Sequence, residues 1–176
     1  MHAAPSPSAA DSRCIACFDA LMWALSRPGL PRDLPASGVD GLIEALLDRE
    51  CAAFSDNPAA AEAIARTGAA CVPLEAADHV FVDRFDTQTL RRLRQGSDLH
   101  PEDGATLVTQ ARIGHGPRLR LSGPGIDGHL EIALELPPEI WAIRREIMRY
   151  PMGFEMFVLD GAQVIGLPRS TQVEVI

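Results

Sequence analysis

RLRLSGPGIDGHLEIALEL, residues 118–136, decides the fold. A glycine-rich loop that leaves a strand and enters a helix can hold a phosphate on the helix's free N–H groups and positive dipole end. The same loop between two strands reverses the chain. Here the residues after the loop alternate, with Leu130, Ile132, Leu134 and Leu136 on one side, which predicts a half-buried strand. Pro124-Gly125 suits the central positions of a type II turn, glycine supplying the positive φ. The reading is a turn, with a small anion nest on the N–H groups of Gly123 and Gly125 as the alternative.

Working outward, Pro-opened PPEIWAIRREIMR (137–149) predicts a helix stopped by YPMG, followed by strands FEMFVLD and AQVIGLP with Asp160-Gly161 turning between them. Upstream, ATLVTQARI (105–113) and RLRLS (118–122) read as strands joined by GHG. HVFVD (79–83) reads as a strand, and Asp86 caps a helix that Gly96 closes. The first part of the chain is helical. Asp11 or Ser12 caps a helix whose apolar residues are Cys14, Cys17, Phe18, Leu21, Met22 and Leu25, and two more helices run over 39–50 and 58–69, the last with Pro58 at its start and Gly68 past its end. Residues 1–10 read as a mobile arm and 11–176 as one domain, an α/β fold with a mixed β-sheet.

Composition narrows the function. With 176 residues, 47% hydrophobic and 23% charged, the chain is of the ordinary globular class, and a net charge of −8 argues against nucleic acid as a partner. No stretch is long and apolar enough to span a bilayer and no leader opens the chain, so a cytoplasmic location without membrane attachment is expected. All 16 basic residues are arginines; without lysine neither a pyridoxal phosphate Schiff base nor a Walker-type phosphate site can be built, and no cofactor is expected.

The remaining signals are weak. CIAC (14–17) has CxxC spacing but no second pair of ligands, and its i, i+3 spacing continues the first helix's apolar stripe, so packing is preferred to metal or redox work. The arginine clusters at 91–94 and 144–149 read as solvated helix ends. The histidines at 2, 79, 100, 115 and 129 read as surface or loop residues, and no catalytic or metal-binding constellation is recognisable. Residues that could contact a ligand or partner are Arg118, Arg120, Gly123, Gly125 and Arg169, the last also explained by a carboxylate partner.

FDALMWALSRPG (18–29), LRQGSDLHPEDGATLVTQARI (93–113), RLRLSGPGI (118–126), YPMGFEMFVLDG (150–161) and LPRSTQVEV (167–175) together resemble the PhnH family, the H subunit of the bacterial carbon-phosphorus lyase system. The resemblance runs from about Phe18 to Val175 and is weakest between Leu30 and Asp78. It implies a role in phosphonate catabolism within a core complex with G, I and J subunits, in the step that couples methylphosphonate to the ribose of a nucleoside triphosphate. It also implies a homodimer, a mixed sheet with helices on both faces similar to the main domain of pyridoxal phosphate-dependent transferases without the cofactor, and no catalytic residue of its own. The alternative is a subunit with its own phosphate or nucleotide site on Arg118, Arg120 and the Gly-Pro-Gly turn.

Overall fold

The computed structural model describes residues 6–176. In chain order they form α1 (Ala9–Ser26), β1 (Arg32–Asp33), α2 (Asp40–Leu46), β2 (Ala52–Ser55), α3 (Pro58–Thr67), β3 (Ala70–Cys71), β4 (His79–Phe81) and α4 (Thr87–Arg92). Then come β5 (Thr106–Gln110), β6 (Ile113–Ser122), β7 (Leu130–Leu134), α5 (Pro138–Ile147), β8 (Glu155–Asp160), β9 (Gln163–Leu167) and β10 (Gln172–Val175). Seven strands make a mixed sheet in the order β1-β9-β8-β5-β4-β2-β3, and three make an antiparallel sheet in the order β10-β6-β7. In the large sheet β3, β2, β4, β5 and β8 are mutually parallel, while β9 and β1 run antiparallel to their neighbours.

Strand periodicity explains the layers. On β8, Met156 and Val158 enter one core while Phe157 and Leu159 enter the other, so both faces are covered and the strand reads as an unbroken apolar run. One core lies under α1, α2 and α3, with Leu21, Leu42, Ile43 and Ile64 packed on the sheet. The other holds Leu90 of α4, Ile140 and Trp141 of α5, and Leu119, Leu121, Leu134 and Val173 of the small sheet. Helices therefore lie on both faces, and a second sheet shares one of them.

Several local readings hold. The 123–126 turn closes with the Ile126 N–H donating to the Gly123 carbonyl at 3.1 Å, and Gly125 has φ +84°. It joins β6 to β7, so the loop enters a strand. Pro58 opens α3 and Gly68 ends it in the left-handed region, with Asn57, which the sequence reading did not single out, as its cap; Asp86 caps α4 by accepting from the Thr89 N–H. β8 and β9 form the hairpin around Gly161. Alternation along β7 puts Leu130, Ile132 and Leu134 against one core.

Others are corrected. Ser8 caps α1, in a reciprocal pair with Asp11, because Ser8 sits where its hydroxyl reaches the Asp11 N–H. The arm's residues 1–5 and His2 lie outside the described residues. The buried stripe of α1 is Cys17, Ala20, Leu21 and Ala24; Phe18 and Met22 point out, and with Ile15 form an exposed apolar line. GHG does not connect two paired strands: β5 and β6 belong to different sheets, and residues 114–116 lie inside β6, where the register with β7 shifts. α4 ends at Arg92, before Gly96, because Leu93 turns to extended backbone and is buried. Among the described residues no helix is long and apolar enough to cross a membrane.

Candidate functional site

α5 positions the site. Ile140, Trp141 and Arg144 share its buried face at i, i+1 and i+4, so a guanidinium occupies a core position, 3% exposed. This corrects the solvated reading of the 144–149 cluster at Arg144, while Arg145 and Arg149 are exposed as expected. Arg144 Nη1 donates to the Thr171 carbonyl at 2.8 Å and Nη2 to the Pro168 carbonyl at 2.9 Å, and the group stacks over Phe154. Its Nε–H has no partner, and neither does the buried Thr171 hydroxyl. Burial, opposed weakly by Glu155, pulls the guanidinium down to about 10, which still leaves it charged at neutral pH.

The Pro168–Thr171 turn, closed by the Thr171 N–H donating to the Pro168 carbonyl, wraps this guanidinium. It packs against Gly123, where a Cβ would lie 2.8 Å from the Ser170 carbonyl oxygen. Arg169, within the turn, faces the loops before β5 and β8. Its N–H and Nε donate to the two Glu155 oxygens at 2.7 and 2.5 Å, and Nη1 donates to the carbonyls of Pro101 and Pro151. The carboxylate-paired reading of Arg169 is therefore the one observed.

Together these elements border a hollow of about 530 Å³, lined by Arg120, Ser122, Arg144, Arg145, Arg169, Ser170 and Thr171 among others. Arg120 and Arg118 alternate with the buried Leu119 and Leu121 on β6 and so point to the outer face of the small sheet. Both contact Glu131, Arg118 closely and Arg120 at 3.5 Å, and Arg120 also lies 3.8 Å from Glu174. Of the five residues singled out in sequence, Arg120, Gly123 and Arg169 meet around the 168–171 turn. Arg118 lines no part of the hollow, and Gly125 faces α1, its Cβ position 2.4 Å from the Ser26 carbonyl oxygen. Sequence reasoning missed Arg144 and Thr171; the clue for Arg144 was its place on the Ile140-Trp141 stripe.

Another large recess, at the carboxyl ends of β4, β5 and β8, has its charges engaged except for the exposed Arg84. Asp83 accepts from Gln110 at 2.7 Å and Asn57 at 2.9 Å, Arg112 pairs with Glu135, and Asp160 accepts from the Ile113 N–H. Cys17 is buried, and desolvation pushes its thiol up to about 11, which suits packing rather than nucleophilic chemistry.

His79 is no loop residue; it lies in β4, largely buried, with Nδ1 unpartnered. Burial, partly opposed by Asp78 and Asp48, holds its imidazole below the ordinary value. The unfolded chain therefore takes up the proton first, so this contribution to stability is full above about pH 6.5 and is lost as pH falls toward the folded value. Unfolding free energy should drop as pH falls below about 6.5, and His79→Gln should flatten that slope. Equal slopes in denaturant titrations of both proteins would refute it.

Comparison with known proteins agrees with the sequence resemblance. Residues 9–174 match the family described as "Bacterial phosphonate metabolism protein (PhnH)". HtxG of Stutzerimonas stutzeri, provisionally described as a C-P lyase subunit protein, is 34% identical over 166 residues, covering 89% of this chain and 83% of that protein. With nearly the whole described fold inside the match, the chain belongs to the PhnH family of bacterial phosphonate metabolism proteins.

Proposed function

We propose that this protein is a non-catalytic subunit of the carbon-phosphorus lyase core complex, working with G, I and J subunits in the cytoplasm. Its step is the coupling of a phosphonate to the ribose of a nucleoside triphosphate. The observation that carries this reading is family membership across residues 9–174, joined to a relative described as a C-P lyase subunit. The mixed sheet with helices on both faces is compatible with descent from a pyridoxal phosphate-dependent transferase domain, and a lysine-free chain could not retain that cofactor's Schiff base. In this reading the chain from residue 11 is one domain.

Subunit contacts need apolar surface, and Ile15, Phe18 and Met22 on α1 supply an exposed line of it at i, i+3 and i+7, suited to a second copy or a neighbouring subunit. The Gly-Pro-Gly turn serves that architecture by packing the β6–β7 hairpin against the end of α1.

The test is reconstitution. The purified chain mixed with its G, I and J counterparts should co-elute with them, and coupling of methylphosphonate to ATP should fall to background when it is omitted. Full-rate coupling without it would refute the proposal.

A further inference from the structure

We infer that the hollow between α5, the outer face of β6 and the 168–171 turn is a binding site for a tetrahedral dianion of the phosphate or phosphonate class. That a phosphonate is among its ligands rests on the proposed function; the anion site itself does not. Four guanidiniums border the hollow, those of Arg120, Arg144, Arg145 and Arg169. Arg169 is neutralised by Glu155, and Arg120 has only longer contacts to Glu131 and Glu174. Arg145 is exposed and pairs with no carboxylate among the described residues, and Glu174 is the one acidic lining residue.

Burial supplies the second, independent observation. Arg144 and Thr171 both line this hollow and are nine-tenths or more buried, and the Arg144 Nε–H and the Thr171 hydroxyl have no partner within the protein. Buried donors are costly when unpaired, so two lining residues that each keep an unmet donor at a cation-rich recess favour a site that a ligand completes. The donors come from three elements: α5, β6 and the 168–171 turn. Arginine favours carboxylates and phosphates alike, but donors arriving from three directions suit three oxygens on one centre better than the two of a planar carboxylate. This site differs from the nest proposed on the Gly-Pro-Gly loop, because it uses neither Arg118 nor Gly125.

Equilibrium titration of the full chain with inorganic phosphate, methylphosphonate and ATP, each at matched ionic strength with acetate as control, tests it. Saturable binding of at least one phosphorus oxyanion is expected, with acetate much weaker. Arg145→Ala and Thr171→Val should each weaken it about 10-fold or more, whereas Arg118→Ala should bind as wild type. Thr171→Val should melt at or above the wild-type temperature, since it removes an unpaired hydroxyl, so loss of binding there is not loss of fold. Tighter binding of methylphosphonate assigns a phosphonate, and tighter binding of phosphate or ATP assigns a phosphate group; either supports the inference. No saturable binding by wild type, or unchanged affinity in both variants, overturns it. The reconstitution above is scored separately, so failed assembly with intact anion binding would refute the complex and leave the site standing.

Discussion

Gly166→Ala should unfold about 6–20 °C below wild type, a large loss for a single methyl group. Gly166 lies on β9 beneath α1, where an added Cβ would be 2.6 Å from the Ala24 carbonyl carbon and oxygen and 2.8 Å from the Leu25 nitrogen. These are helix backbone atoms, which no rotamer change can move. The strand has ordinary extended backbone, so the cost is steric rather than conformational. α1 must lift from the sheet, and Leu21 and Ala24, both fully buried, lose their close packing. The hydrogen bond from the Gly29 N–H to the Gly166 carbonyl, 3.2 Å long, is strained at the same time. Overpacking alone costs about 1–3 kcal/mol, and with the displaced helix the total comes to roughly 3–5 kcal/mol. Urea unfolding should show a lower midpoint with an unchanged slope; a midpoint equal to wild type would show that α1 does not rest on this residue.

Arg169→Ala should cost about 3–5 kcal/mol, because it leaves a mostly buried Glu155 carboxylate without its cation and frees the carbonyls of Pro101 and Pro151. Arg118→Ala, on the solvent side of the small sheet, should stay within about 0.5 kcal/mol of wild type. The two arginines were equivalent as sequence letters and differ only in what surrounds them. A double variant, Arg169→Met with Glu155→Leu, should recover part of the loss, since it removes the stranded charge together with its partner. Chemical denaturation of the three proteins decides the matter: equal stabilities for Arg169→Ala and Arg118→Ala would refute a structural role for the Glu155 pair.

What the sequence made legible was local. The 123–126 turn needs only Pro124 and Gly125, the bounds of α3 need only Pro58 and Gly68, and the alternation of β7 lies within five residues. What it hid was the company each strand keeps. β5 and β6 are separated by two residues yet join different sheets, a choice made by pairing with β8 on one side and with β7 and β10 on the other. β1, β2, β3 and β10 went unread because they are two to four residues long. Ala52-Ala53 and Ala70-Cys71 also have little intrinsic strand preference and are extended by their neighbours' ladders. At the candidate site, Arg120 and Arg169 were visible by residue type, while Arg144 was masked by looking like its charged neighbours Arg145 and Arg149. Its burial depends on the 168–171 turn, over twenty residues further along the chain.

The seven-stranded sheet, with one core on each side, also keeps two flanks of the chain apart. Residues 30–78 build β1, α2, β2, α3 and β3, and so furnish much of the helical flank and the sheet's outer strands. β6, α5 and the 168–171 turn belong to the opposite flank, where the arginine-lined hollow opens. Layers on the two faces of a sheet are held apart by about 10 Å of packing on either side, a separation at which substitutions add rather than couple. A substitution on the helical flank, with whatever surface that flank offers to neighbours, is therefore expected to leave the shape of the hollow on the far side undisturbed.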